Sequence, residues 1–276
     1  MRTTPKVTVA IPMFNHEAFI GRTIQSVLSQ SFADFELLVF DDGSTDRSVE
    51  IVRAFDDPRI RLTLNEKNLG PEANWNLAIS QVRGAYGKLL CGDDVLMPDC
   101  LAKQVAILDD PANADVGFVT CSKLVLDPKD RVVTKRRFAR RGTKLSGQEG
   151  IRRLIFFGSN PFGEPGAGLF RASLIPQVAG YRARIPYLID LDFWCQLLQL
   201  GSIYILPDFL FGFRISSTSW SSRIGLRQYR QWVDFLNQLR RENNFPMSAI
   251  DVLIGATTGA AQFAARIAFF KIFARA

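Results

Sequence analysis

The chain has 276 residues, 47% of them hydrophobic, and carries 34 Lys and Arg against 27 Asp and Glu for a formal charge of +7. That apolar fraction supplies the core of a large folded domain and excludes a disordered chain. Four scattered cysteines (Cys91, Cys100, Cys121, Cys195) without CxxC spacing, and a single histidine, His16, exclude a zinc cage and a polyhistidine metal site and fit reduced thiols.

Residues 1–6 pass straight into an apolar run with no signal-like segment, so a cytoplasmic protein is expected. Residues 7–12 read as a first buried strand, and 18–29 as a helix with Ile20, Ile24, Val27 and Leu28 on one face. Residues 35–40 form the second strand. Ser44 or Thr45 then caps a helix over 48–55, with Asp46 favourable in its first turn. A third strand at 59–64 leads through turn residues 65–70 to Pro71, which opens a helix to about 82. A fourth strand spans 86–90, a helix 98–108, and a strand 116–121. This alternation predicts an α/β fold with a doubly wound, mainly parallel sheet and helices on both faces.

Beyond residue 122 the regularity fades into a basic loop holding Arg131, Lys135, Arg136, Arg137, Arg140, Arg141 and Lys144. It reads either as a solvated loop or as a surface for an anionic acceptor or lipid headgroups. Phe138 is its one aromatic residue, too few for the stacking platforms of nucleic-acid binders. Ser146 and Glu149 make a capping box for an amphipathic helix to about 157. A strand follows at 166–170, a helix at 191–200 and a strand at 202–206. The tail from 224 holds two or three helices. Its last part, 261–276, mixes Phe263, Ile267 and Phe270 with Arg266, Lys271 and Arg275, and is too short and charged to span a bilayer. It is expected to cover the sheet or a homodimer partner, or to lie on an anionic membrane surface.

Two of the strands end in acids. One runs into Asp41-Asp42-Gly43-Ser44-Thr45-Asp46 and the other into Cys91-Gly92-Asp93-Asp94. Open α/β sheets bind ligands at the carboxyl ends of their strands, and two acidic tips in one crevice suit a divalent cation and a diphosphate.

Five segments in order, Ala10 to Asn15, Val39 to Asp46, Asn68-Leu69-Gly70 with Asn74-Trp75-Asn76, Cys91 to Asp94, and Ile189 to Trp194, make the chain similar to the inverting family 2 glycosyltransferases of the GT-A fold. The resemblance covers roughly residues 6–220. It implies a domain over 1–223, with a nucleotide-binding half (1–120) and an acceptor-binding half (121–223), followed by a helical segment over 224–276. The implied substrates are a nucleotide-diphosphate sugar and a glycan or lipid-linked saccharide hydroxyl, with Mg²⁺ or Mn²⁺ as cofactor and cell-surface polysaccharide synthesis as the setting.

By the same resemblance Asp42, with Asp41 beside it, binds the base, while Pro12, Asn15, Glu17 and Asn68 lie against the nucleotide. Trp75 stands where relatives often carry arginine and is expected to stack on the base. Cys91 occupies the first place of the family's Asp-x-Asp motif, which leaves Asp93, assisted by Asp94, to hold the metal. Ser216 stands where histidine is common, so Arg214, Ser217 and Ser219 are the remaining phosphate contacts. Asp190 is the expected general base, with Ile189 in place of the family's glutamate, and Glu164 and Asp192 are expected on the acceptor side. Two other readings stay open. A sugar nucleotidyltransferase shares the architecture, although residues 11–15 lack its Gly-rich phosphate loop. A non-catalytic nucleotide-sugar-binding or scaffold protein would explain Cys91 and Ser216.

Overall fold

The structure is a computed structural model and describes residues 4–215, 226–242 and 245–273. β1 (Val7–Met13) is the hub of the amino-terminal half. β2 (Phe35–Asp41) pairs with it on one side and β4 (Tyr86–Leu89) on the other, both parallel, and β3 (Ile60–Leu64) lies outside β2. Because the chain steps outward through β2 and β3 and then returns to the opposite side of β1, a crevice opens at the carboxyl ends of these strands.

Alternation along β1 splits the core between the two faces of the sheet. Val7, Val9, Ile11 and Met13 pack with residues of α1 (Ile20–Leu28), α2 (Ser48–Arg53) and α4 (Cys100–Asp109). Ala10 belongs to the other core, with Phe40, Ala78 of α3 (Pro71–Ser80), Leu154 of α5 (Gly147–Phe157) and Trp194 of α6 (Ile189–Leu200). The Ser146–Glu149 capping box opens α5 as expected. β1 runs one residue past Pro12. Ala10 accepts its β4-side bond from Leu90, and Pro12, two residues on, turns its missing N–H toward the same side, beyond the end of β4.

The second half is mixed. β9 (Leu169–Arg171) lies antiparallel between β4 and β6 (Val116–Leu126). β10 (Ser202–Arg214) runs parallel to β6 and extends well beyond the expected 202–206, with β5 (Val95–Leu96) on its far edge. All ten strands form one sheet, and β6 crosses residue 120, so both halves share that sheet. The expected boundary at 223 lies outside the described residues, as do Ser216, Ser217 and Ser219.

The basic segment is not a loop. β7 (Val132–Arg136) makes a hairpin with β6, and β8 (Thr143–Leu145) pairs with β10. Asp127 builds the hairpin turn by accepting from the N–H groups of Lys129 and Arg131, and Asp130 takes a left-handed φ of 64°. Phe138 is buried rather than displayed. Two helices close the described chain, α7 (Leu226–Arg241) and α8 (Ala249–Phe273), with the Trp232 indole donating to the Gly255 carbonyl at 2.8 Å. Among the described residues no helix is long and apolar enough to cross a membrane.

Candidate active site

Asp41 ends β2 and Asp42 follows it, both almost fully buried, and they are used differently. Asp42 accepts from the N–H groups of Leu69 (2.8 Å) and Gly70 (3.0 Å) and from Asn65 Nδ2 (2.9 Å), so both its oxygens hold the 65–70 loop. Asp41 accepts from the Ser44 N–H through Oδ2, while its Oδ1 is buried and without a partner. The oxygen left without a partner therefore belongs to Asp41, and Asp42 shapes the loop beside it. Asn68, on that loop, turns its own Oδ1 back to the Gly70 N–H.

Asn15 and Glu17 fasten the β1 loop to the turn after β2. Asn15, at a left-handed φ of 55°, accepts from the Thr45 N–H at 2.8 Å and donates its own N–H to Ser44 Oγ. Glu17 accepts from the Arg47 N–H at the start of α2, and its own N–H goes to Asp46. Against the cost of burial, bonds from Ser48 and the Glu17 N–H hold Asp46 below the usual carboxylate range. These side chains set the shape of the wall beside Asp41 and Asp42. Trp75 is half-buried against the core, its ring perpendicular to that of Tyr181 with centroids 5.1 Å apart.

The turn after β4 gathers Cys91 Sγ and carboxylate oxygens of Asp93 and Asp94 within 4.8 Å of one another. Sequence reasoning treated Cys91 as a lost ligand, yet the fold puts its sulfur in the same cluster. Asp94 accepts from the backbone N–H of Arg214 at 3.0 Å. Burial, followed by the charge of Asp93, pushes its carboxyl well above the usual range. Burial, then Asp94, Asp93, Asp190 and Glu164, likewise pushes the Cys91 thiol up. Four acids thus converge on one thiol, and the nearby cations are engaged. Lys123 pairs with Glu164, and Arg214, itself buried, binds Asp130 at 2.7 Å and the Asp93 carbonyl. Arg214 therefore braces the acidic turn. A sulfur and two carboxylates in a crowded negative pocket fit a divalent cation.

Asp190, in the first turn of α6, approaches this cluster from the second half of the chain. It accepts from Asn160 Nδ2 at 3.0 Å and the Leu191 N–H at 2.8 Å. Burial and then the charge of Glu164 push it up to about 7, against the pull of Leu191, Lys123 and Asn160. Asn160 also donates to the Gly163 carbonyl, and Gly163 adopts a φ of 83° that lets the 160–164 turn bring Glu164 close. One oxygen of Glu164 is buried without a partner. Asp192 does not join the site. It is buried against Arg182 in a two-bond pair at 2.6 and 2.7 Å and also accepts from Gln196.

Two groups escaped the sequence reading. The Tyr181 hydroxyl is buried without a partner, and burial, then Cys91 and Asp190, raises its pKa well above the usual value. His16 packs its ring against Gly92, where a Cβ would overlap Nδ1, and that nitrogen is also buried and unpartnered. Neither lies in a segment whose spacing marks it. Both arrive through tertiary packing.

This arrangement sets two acidic strand tips in one crevice of an open α/β sheet. The family model of glycosyl transferase family 2 matches residues 8–178, and the chain belongs to that family. It is 31% identical over 229 residues to the putative glycosyltransferase EpsE of Bacillus subtilis, covering 81% of this chain and 78% of EpsE. Among solved structures it is similar to S. aureus TarS 1–349 in complex with UDP-GlcNAc, with TM-score 0.68, 19% identity, and 98% of this chain and 74% of that chain covered. It is also similar to the mannosyltransferase PcManGT from Pyrobaculum calidifontis in complex with GDP-Man and Mn²⁺, with TM-score 0.67, 18% identity, and coverage of 98% and 76%. The fold is accordingly that of the GT-A glycosyltransferases, and the chain is a glycosyltransferase.

Proposed function

We propose that this enzyme transfers a sugar from a nucleotide diphosphate to a hydroxyl of a glycan or lipid-linked saccharide, with inversion, in cell-surface polysaccharide synthesis. The observation that carries the proposal is Asp190, a single carboxylate raised to about 7 at the acceptor side of a thiol-and-acid cluster. Inversion requires one base on the face opposite the leaving diphosphate, and a base with pKa near the working pH is efficient. The sugar-nucleotide complexes of TarS and PcManGT support the donor class, and the name of another relative, the succinoglycan biosynthesis protein ExoO of Rhizobium meliloti, supports the setting.

In this reading Asp41 Oδ1 receives the base N–H, and Asp42 keeps the 65–70 loop in place beneath it. Pro12, Asn15, Glu17 and Asn68 form the wall on which the nucleotide rests. Cys91, Asp93 and Asp94 would hold Mg²⁺, Mn²⁺ or another divalent cation, which would neutralise the diphosphate and the charge growing on the leaving group. Asp190 Oδ takes the proton from the acceptor hydroxyl as that oxygen attacks the anomeric carbon, while Asn160 and the Leu191 N–H keep the carboxylate aimed. Glu164 and Tyr181 offer the acceptor further hydrogen bonds. The exposed Arg136, Arg140 and Arg141 of the basic hairpin region suit an anionic acceptor or lipid headgroups.

The test combines product analysis with one variant. NMR of the product is expected to give the anomeric configuration opposite to that of the donor. Asp190→Asn is expected to bind donor nucleotide normally while losing transfer. Retained configuration, or full turnover in Asp190→Asn, would overturn the assignment.

A further inference from the structure

We infer that Cys91 is itself a metal ligand, so that this enzyme holds its divalent cation through one sulfur and two carboxylates and prefers Co²⁺ or Zn²⁺ over Mg²⁺. The inference rests on the metal-assisted reading above and deepens it. Its ground is the construction of the turn after β4. The Asp94 N–H donates to the Cys91 carbonyl at 3.1 Å, the Gly92 carbonyl accepts from Thr23 Oγ1 at 3.0 Å, and Gly92 is pressed against the His16 ring. Tied at these points, the turn brings the Cys91 sulfur and the two carboxylates to within 4.8 Å of one another. Among the described residues, the cations nearest the cluster have their side chains engaged elsewhere. Arg214 spends its guanidinium on Asp130 and the Asp93 carbonyl, and Lys123 is paired with Glu164.

The donor set then decides the ion. Mg²⁺ demands a near-octahedral shell of oxygens and gives up water reluctantly, so a thiolate in its shell is a poor exchange. Sulfur favours softer ions, and affinity for mixed S/O sites rises from Mn²⁺ through Co²⁺. On binding, the S–H proton leaves to solvent and the sulfur lone pair forms the bond to the metal, with no change of oxidation state. Cys100, Cys121 and Cys195 are fully buried, and they remain as an internal control when Cys91 is changed.

The experiment titrates the purified full chain with Co²⁺ in the presence of UDP or GDP and follows the near-ultraviolet band of thiolate-to-cobalt charge transfer. Mg²⁺ then competes for the site, and the thermal midpoint is read in parallel. The expected result is a saturable band in the wild type that is absent from Cys91→Ser, a nearly isosteric variant whose unliganded midpoint checks its fold. In Cys91→Asp the preference for Co²⁺ over Mg²⁺ should fall by at least about ten-fold, the scale that even outer partners of a ligand carry. Suppose instead that metal and nucleotide together raise the midpoint but no band forms, and that the ion preference is the same in all three proteins. Cys91 is then not a ligand, although the donor-site reading stands. If no metal raises the midpoint with any nucleotide in any of them, the donor-site reading falls, and the inference with it.

Discussion

As the proposed base, Asp190 would couple the chemistry to pH. Burial pushes it from the ordinary 3.8 up to about 7, so its ionised, base-competent fraction grows as pH rises through that value. The pH profile of kcat/KM should rise through a limb near 7. Asp190→Asn should abolish that limb and lower kcat by about 10²–10⁴-fold. The same shift has a cost in stability. Between about pH 4 and 7 the folded state binds more protons than the unfolded, so stability falls as pH rises through that window. Asp190→Asn removes the slope and should be more stable than wild type at pH 8 by on the order of 1–3 kcal/mol in denaturant unfolding, allowing for partial exposure. The paired acids Asp41 and Asp42 make a second prediction. Asp42→Asn should cost about 1–3 kcal/mol, because it disturbs the bonds to Leu69, Gly70 and Asn65. Asp41→Asn should leave the denaturation midpoint nearly unchanged and weaken nucleotide binding in calorimetry. The sequence marked both acids as important, but their division of labour depends on which one the 65–70 loop reaches, and local pattern does not contain that.

Among the elements, the βα alternation of residues 7–121 was legible because long apolar runs and capped amphipathic helices carry their own periodicity. The short strands were not. β7, β8 and β9 have five, three and three residues, too few for alternation to stand out, and their pairing comes from the long β6 and β10 beside them. Position within a helix was equally hard to read. Asp190 and Asp192 share the first turn of α6, yet two residues on a helix point to different sides, and only Asp190 reaches the site. Asp192 instead locks the 182 region to α6 through Arg182. Asp192→Asn should therefore destabilise the protein by about 1–3 kcal/mol in denaturant unfolding, because the half-buried Arg182 keeps only its longer pair with Glu242 at 3.5 Å, and should leave the acceptor KM of the folded enzyme unchanged. A raised acceptor KM with normal stability would return Asp192 to the acceptor site.

At the scale of the whole molecule, one continuous sheet brings the acids at the ends of β2 and β4 together with the second half of the chain, anchored on α6. Arg214, at the end of β10, ties the turn of the β6–β7 hairpin to the acidic turn after β4, so elements from the two halves of the chain are joined at the site itself. The family was visible in the ordered motifs. The brace and the sulfur in the metal cluster were not, because both need partners more than eighty residues away or a turn geometry that sequence spacing leaves open. The central claim is that the Cys91–Asp94 turn holds a cation that holds the donor diphosphate. The most direct measurement is the thermal midpoint of the protein with UDP, dTDP and GDP, each with and without Mn²⁺, repeated on Asp93→Ala. A metal-dependent rise for one nucleotide, lost in Asp93→Ala, is the predicted result and names the donor base. A rise that needs no metal, or that survives in Asp93→Ala, would contradict the claim, as would no rise with any of the three.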